Sequence, residues 1–382
     1  MVAPLALAQQ GRVYGDNAGG WAQEINGTLG AAKNLRVKVE SGTVKVRGGA
    51  QDVNYNIVNR SSASSEERAR RQFEAYKITT SLKGDTAYIT AEWDGDSPHR
   101  FSSQFVINVP QSLGSVKVET DGGNVEVEKI SGNVDAQSGG GSIRLTSIDD
   151  EINAETGGGN IDVRNAGADM TLQTGGGNIN ISQARGKVNA SSGGGSIFVD
   201  SATQEAILET GGGSIRVTTC SGRVKASTGG GSIDLGDIGG PVEIETGGGS
   251  IHLTSSKGPV RAETGGGTIE INGAPSVHAE TGAGSIIASI FGGTAGRSDS
   301  YLETSAGDIT VYLAPSVKLN VRASIEVASG HNIRSDFSEI AVHSDGGDWG
   351  PKTVTAEGSL NGGGPTLKIS TTTGDIEIRR GR

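Results

Sequence analysis

Aromatic side chains make up only 4% of the 382 residues, too few for the bulky core of an ordinary large globular domain. Proline is sparse at 9 residues, and a single cysteine, Cys220, excludes an internal disulfide and any metal site built on several thiolates. No run approaches the roughly 20 apolar residues that a membrane-spanning helix needs. Clustered cations are missing too: Lys and Arg are scattered along a chain of formal net charge -10, which removes the electrostatic footprint of a nucleic-acid-binding protein. The histidines, His99, His252, His278, His331 and His343, are dispersed and lack the His or Cys partners of a zinc site, so they read as solvated surface residues.

What the chain has is glycine, 63 residues of it, in strict register. Gly122-Gly123 is followed by triplets beginning at Gly139, Gly157, Gly175, Gly193, Gly211, Gly229, Gly247 and Gly265, with a repeat of 18 residues. A weaker copy, Gly282-Ala283-Gly284, arrives one residue early. Each unit reads Gly-Gly-Gly-(Ser/Asn)-Ile-x-aliphatic, then polar residues, then aliphatic-x-(Ala/Leu/Ile)-x-(Thr/Ser). Alternation over such short runs predicts two brief strands per unit. The glycines are expected to supply positive φ at the corner between them.

Ile143, Ile161, Ile179, Ile197, Ile215, Ile233, Ile251, Ile269 and Ile286 share one repeat position, and a second aliphatic column from Leu145 to Ile271 follows two residues later. Period-2 geometry points both inward. The column Ala154, Ala190, Ala226, Ala262 and Ala279, interrupted by Leu172, Leu208 and Ile244, faces them across a narrow interior. The fold class that follows is all-β, a parallel β-solenoid with 18-residue coils and two short strands per coil. Such coils stack at about 4.8 Å and cannot bury their cores singly, so both ends need caps.

The expected organisation has four parts: 1–30 a leader remnant or disordered segment, 31–115 N-terminal capping coils, 116–290 the regular solenoid, and 291–382 irregular coils and a cap. Residues Val2 to Gln10 read as the end of a secretory leader, with a small-x-small site at Ala6-Leu7-Ala8. One short helix is expected from Ser64 to about Tyr76, opened by the capping box Ser64-x-x-Glu67.

The order of parts resembles a bacterial β-strand-repeat family known as "putative adhesin". The residues that carry the likeness are Gly42-Thr43-Val44-Lys45-Val46-Arg47-Gly48, the helix Glu66–Ala75 before a strand, the glycine-cornered repeats, and an ending at Asn361-Gly362-Gly363-Gly364-Pro365 and Thr373-Gly374-Asp375-Ile376-Glu377-Ile378. The resemblance implies a β-solenoid with a surface role, and for some members a link to envelope-stress sensing. It carries over no catalytic residue. Glycine triplets stand where many members have Asn-Gly or Ser-Gly corners.

Site chemistry is thin. Repeat-bound Ca²⁺ needs an Asp column, whereas the position after the isoleucine runs Arg144, Asp162, Asn180, Phe198, Arg216, Asp234, His252, Glu270. The glycine triplets follow no βαβ unit and so are corners, not phosphate cradles. No nucleophile, base and orienter stand together, which predicts a protein that is not an enzyme and has no cofactor or metal; a polysaccharide-active β-helix enzyme is the remote alternative. Cys220 falls on a buried repeat position and reads as a structural thiol.

Two features remain as a candidate binding face. Glu245, Glu263 and Glu280 form an outward carboxylate column, a cation- or partner-attracting face or a solvated one, beside the sign-alternating column Lys225, Glu243, Arg261, while Trp349 sits in a Gly- and Asp-rich loop as a contact or, preferentially, a cap residue. Saccharide binding favours exposed aromatic platforms, which the repeats offer chiefly at Phe198. The function expected is an exported, adhesin-like binding or display scaffold, secreted or held at the cell surface or in the periplasm. Its partner would be a glycan, a matrix or envelope protein, or itself, with no nucleic acid. A self-assembling structural rod or an envelope-stress sensing module is the alternative.

Overall fold

The computed structural model describes residues 11–381 apart from 17–18, 97–99, 292–297 and 346–351. The chain divides into two compact units, residues 1–193 and 194–382, and each is an all-β parallel solenoid. Among the described residues no helix is long and apolar enough to cross a membrane.

In the first unit, Val125–Ile130, Ile143–Ile148, Ile161–Ala166 and Ile179–Ala184 form one parallel sheet, and Asn133–Ser138, Ile152–Thr156, Met170–Thr174 and Val188–Ser192 form the other. Partners are one repeat apart, Ile143 opposite Ile161 and Ile152 opposite Met170. The second unit repeats the plan from Ile197–Ala202 onward, with Ile197, Ile215, Ile233, Ile251 and Ile269 successive partners. The one-residue-early copy is absorbed by a register shift between Ile271 and Ala274. Both aliphatic columns and the facing Ala/Leu/Ile column are buried as the alternation predicts, at 0–2% exposure from Ile143 to Ile286. Each buried isoleucine contributes roughly 1.5–3 kcal/mol.

The reason for the glycine triplets differs from the expectation. No triplet glycine described has φ in the left-handed region. Backbones of successive coils approach so closely at the corner that a Cβ on Gly249 would lie 2.0 Å from the Gly231 carbonyl oxygen, and one on Gly159 2.2 Å from that of Gly141. Middle glycines such as Gly158 and Gly248 face open space. Two of three positions are therefore fixed by stacking, and none by a special dihedral.

The Thr/Ser before each triplet ties these corners together. Thr246, 2% exposed, donates from Oγ1 to the Gly231 carbonyl at 2.8 Å and accepts from the Gly249 N–H at 3.2 Å. Thr156, Thr174, Thr228 and Thr264 make the same two bonds in their own coils. One hydroxyl thus satisfies two backbone groups that a buried turn would otherwise leave unpaired.

Both ends abandon chain order. At the N-terminal end, Asn34–Val39 lies between Thr86–Trp93 and Ser115–Thr120, parallel to both. Thr43–Gly48 likewise lies between Phe101–Val109 and Val125–Ile130. Beyond them, antiparallel strands Tyr76–Lys83, Asn54–Ser61, Gly20–Thr28 and Arg12–Asp16 close the edges. The segment expected to be leader or disordered up to residue 30 is therefore strand over Arg12–Asp16 and Gly20–Thr28, because Gly20–Thr28 completes the sheet on Asn54–Ser61. The leader motif at Ala6-Leu7-Ala8 lies outside the described residues.

The helix is Glu66–Ala75, with Ser65 rather than Ser64 as N-cap: its Oγ accepts from the Arg68 N–H at 3.4 Å. Its buried face, Ala69 and Phe73, meets a cluster of Tyr76, Trp93 and Phe101 with ring centroids 4.5–6.2 Å apart. At the C-terminal end, Thr366–Thr373 is inserted between Ser300–Ala306 and Leu319–Ile325, and Ile376–Arg380 between Ile309–Leu313 and Ile333–Ser335. The antiparallel strands Thr353–Leu360 and Ile340–Asp345 then cover the second sheet.

Candidate functional site

In the second unit, the strands Val242–Thr246, Val260–Thr264, Val277–Thr281 and Ser300–Ala306 lie side by side. Alternation buries Val, Ala or Ile and Thr on the first three, and Ser300, Leu302 and Thr304 on the fourth, and turns the residues between them outward. Glu245 is opposite Glu263, Glu263 opposite Glu280, and Glu280 opposite Glu303, so four carboxylates form one ladder. The first three are the predicted column; Glu303 is an addition, which the widened spacing before Ser300 puts out of phase in the sequence. Its signal was the dipeptide Glu303-Thr304, matching Glu245-Thr246, Glu263-Thr264 and Glu280-Thr281. Trp349, the fourth predicted site residue, lies outside the described residues, as does His99.

Beside the ladder runs a second outward column: Lys225, Glu243, Arg261, His278, Tyr301 and Lys368. Two cations meet the Glu243 carboxylate, Lys225 Nζ at 3.0 Å and the Arg223 guanidinium at 2.7 Å. The hydrogen bond from Lys225, then that from Arg223, holds the Glu243 carboxyl below the usual range. Glu263 Oε1 is buried and meets the Arg261 guanidinium as an ion pair rather than through a well-aligned hydrogen bond. The His278 and Tyr301 rings stack with centroids 5.2 Å apart, and Lys368 Nζ stands 5.0 Å from the centroid of the same tyrosine ring. The Tyr301 hydroxyl donates to Glu303; that bond, with burial, pushes its pKa up to about 12.

The side-chain donors of Glu263, His278 and Glu280 lie within 4.8 Å of one another. His278 is thus half-buried in a cluster and not the isolated surface residue expected. A cation there would compete with Arg261 for Glu263. A cavity of about 460 Å³ opens alongside, bordered by Arg223, Glu243, Arg261, His278 and Asp299.

The column read as unable to bind Ca²⁺ is internally paired. Arg144 reaches Asp162 at 3.3 Å and Asn180 donates to Asp162 at 2.8 Å in the first unit. Arg216 reaches Asp234 at 3.2 Å and His252 reaches Glu270 at 3.4 Å in the second. Phe198 is half-buried and gives no open platform. Cys220 is buried, its thiol donating to the Gln204 carbonyl at 3.0 Å, and burial pushes its pKa up.

Several solved structures resemble this chain. One is described as a putative adhesin from Bacteroides fragilis, 12% identical, covering 76% of this chain and 96% of that one with a TM-score of 0.29. A second is a putative cell adhesion protein from Clostridium sporogenes, 10% identical, covering 94% and 100% at a TM-score of 0.19. A third is a putative adhesin from Parabacteroides distasonis, 8% identical, covering 94% and 96% at 0.29. The first and third carry the name of the family that the sequence resembles. No family model matches the chain, and no curated protein matches it in sequence.

Proposed function

We propose that the protein is a non-enzymatic, adhesin-like binding scaffold, exported to the cell surface or periplasm, that engages a repetitive partner through the outward columns of its second unit. The observation that carries this reading is the in-register ladder of Glu245, Glu263, Glu280 and Glu303. Hydrogen-bonded strands hold neighbouring carboxylates about 4.8 Å apart. Repulsion between two such charges in water is only on the order of 1 kcal/mol, so the fold tolerates the array. A partner with cations at matching spacing would gain many weak contacts at once.

The charged groups support binding over catalysis. Glu243 is kept ionised by Lys225 and Arg223, and Tyr301 is kept a phenol by Glu303, so neither is poised to exchange a proton near neutral pH. The test is the combined Glu245→Ser, Glu263→Ser, Glu280→Ser variant. It should keep the wild-type melting temperature and lose attachment to cells or matrix. Unchanged attachment would remove this face from the function.

A further inference from the structure

The second unit carries another concavity, on its other sheet. It has a volume of about 620 Å³ and is bordered by Asn272, Ser289, Phe291, Tyr312 and Arg380. That size lies within the range of small-ligand sites. Three aromatic residues stand exposed among those described, Tyr14, Phe291 and Tyr312, and two of them border this one space, at 42% and 39% exposure. In a chain with so few aromatics, leaving two such rings in water forgoes burial that the fold could have used.

The placement is built by the coil irregularity. Gly273 lies within the register shift between Ile271 and Ala274, and the Phe291 ring lies 3.4 Å from where a Cβ on it would stand. Ser289 is the register partner of Tyr312, and Arg380 follows Arg379, the partner of Tyr312 on the other side, so hydrogen-bonded strands bring Ser289 and Arg380 to the same border. The Arg380 guanidinium rests 5.3 Å from the Phe337 ring centroid. No carboxylate of the described residues lies within 4 Å of it, because Asp336 is taken by the Arg379 side chain at 3.4 Å and by the Arg380 backbone N–H at 3.1 Å.

We propose that this concavity binds a saccharide bearing a uronic-acid carboxylate. The apolar faces of pyranose rings would pack on Tyr312 and Phe291, Asn272 and Ser289 would exchange hydrogen bonds with ring hydroxyls, and Arg380 would take the carboxylate in a charge-assisted pair. The site is separate from the glutamate ladder, so it stands or falls apart from the reading above.

Isothermal titration of the whole chain with oligogalacturonides, and with neutral galactose oligomers of equal length, tests it. The acidic oligomers should bind at least tenfold more tightly than the neutral ones. Tyr312→Ala should weaken binding of both by tenfold or more, and Arg380→Gln should abolish the preference for the acidic set. Both substitutions are at exposed positions, and melting temperatures check the fold. The triple serine variant of the ladder should bind the oligomers normally. Absence of binding, or unchanged affinity in Tyr312→Ala, would overturn the assignment. So would concentration-dependent self-association that Tyr312→Ala removes without any saccharide binding, which would mark the rings as a contact between copies.

Discussion

Replacing Thr246 by valine changes almost no volume but removes the hydroxyl that holds two corners together. The Gly231 carbonyl and the Gly249 N–H would each lose a partner, now at 2.8 and 3.2 Å, in a site where Thr246 is 2% exposed. A buried backbone group left unpaired costs about 1–3 kcal/mol. For two groups, less roughly 1 kcal/mol regained by burying a methyl in place of the hydroxyl, the net loss is about 1–5 kcal/mol, with a midpoint near 3. Thr246→Ser keeps both bonds, as Ser138 does with Gly123 and Gly141, and loses only a methyl, about 1 kcal/mol. At about 2–4 °C per kcal/mol for a unit of this size, valine at that midpoint should lower the melting temperature by about 6–12 °C and serine by about 2–4 °C. Circular dichroism gives the midpoints, and amide exchange at Gly249 should accelerate in the valine variant alone. A valine variant as stable as the serine one would refute the two-bond account of the corner.

Gly249→Ala should be strongly destabilising, since its Cβ would meet the Gly231 carbonyl oxygen, whereas Gly248→Ala, next to it in open space, should leave the melting temperature within about 2 °C of wild type. Ile215→Asp should unfold the second unit or cost more than about 4 kcal/mol by burying an unpaired carboxylate, while Arg216→Ser should cost under about 1 kcal/mol; equal midpoints would overturn the register. Added calcium or a chelator should leave the melting temperature unchanged, because the column that would bind repeat-held Ca²⁺ mixes Arg144, Asp162 and Asn180 and is paired within itself. In the difference absorbance between wild type and Tyr301→Phe, Tyr301 should ionise near pH 12 instead of near 10. Because its folded pKa is raised, the stability from its bond to Glu303 should be intact below about pH 10 and fall away as pH climbs toward 12.

The repeat made the regular coils legible: period-2 burial at Ile143, Leu145 and Ala154 depends only on local alternation, and the stacking of like residues follows from a constant coil length. The Thr/Ser column was visible as well, although its role was not, since sequence does not show where a neighbouring carbonyl lies. The glycine triplets are plain in the sequence but their cause is not, because the close approach of one coil to the next is a distance between chain segments and not a property of either. At the candidate face, Glu245, Glu263 and Glu280 could be aligned by counting, and Glu303 could not, since the longer connection before it broke the count.

By itself the sequence determined the all-β parallel solenoid, its inward columns and its outward charges, all consequences of short-range periodicity. Only the tertiary structure decided that Asn34–Val39 and Thr366–Thr373 are threaded between coils distant from them in the chain, because strand pairing at an irregular end is chosen by which edge remains open. It alone also decided that Phe291, Tyr312 and Arg380 share one concavity, since residues 89 positions apart meet there only through the inserted last coil.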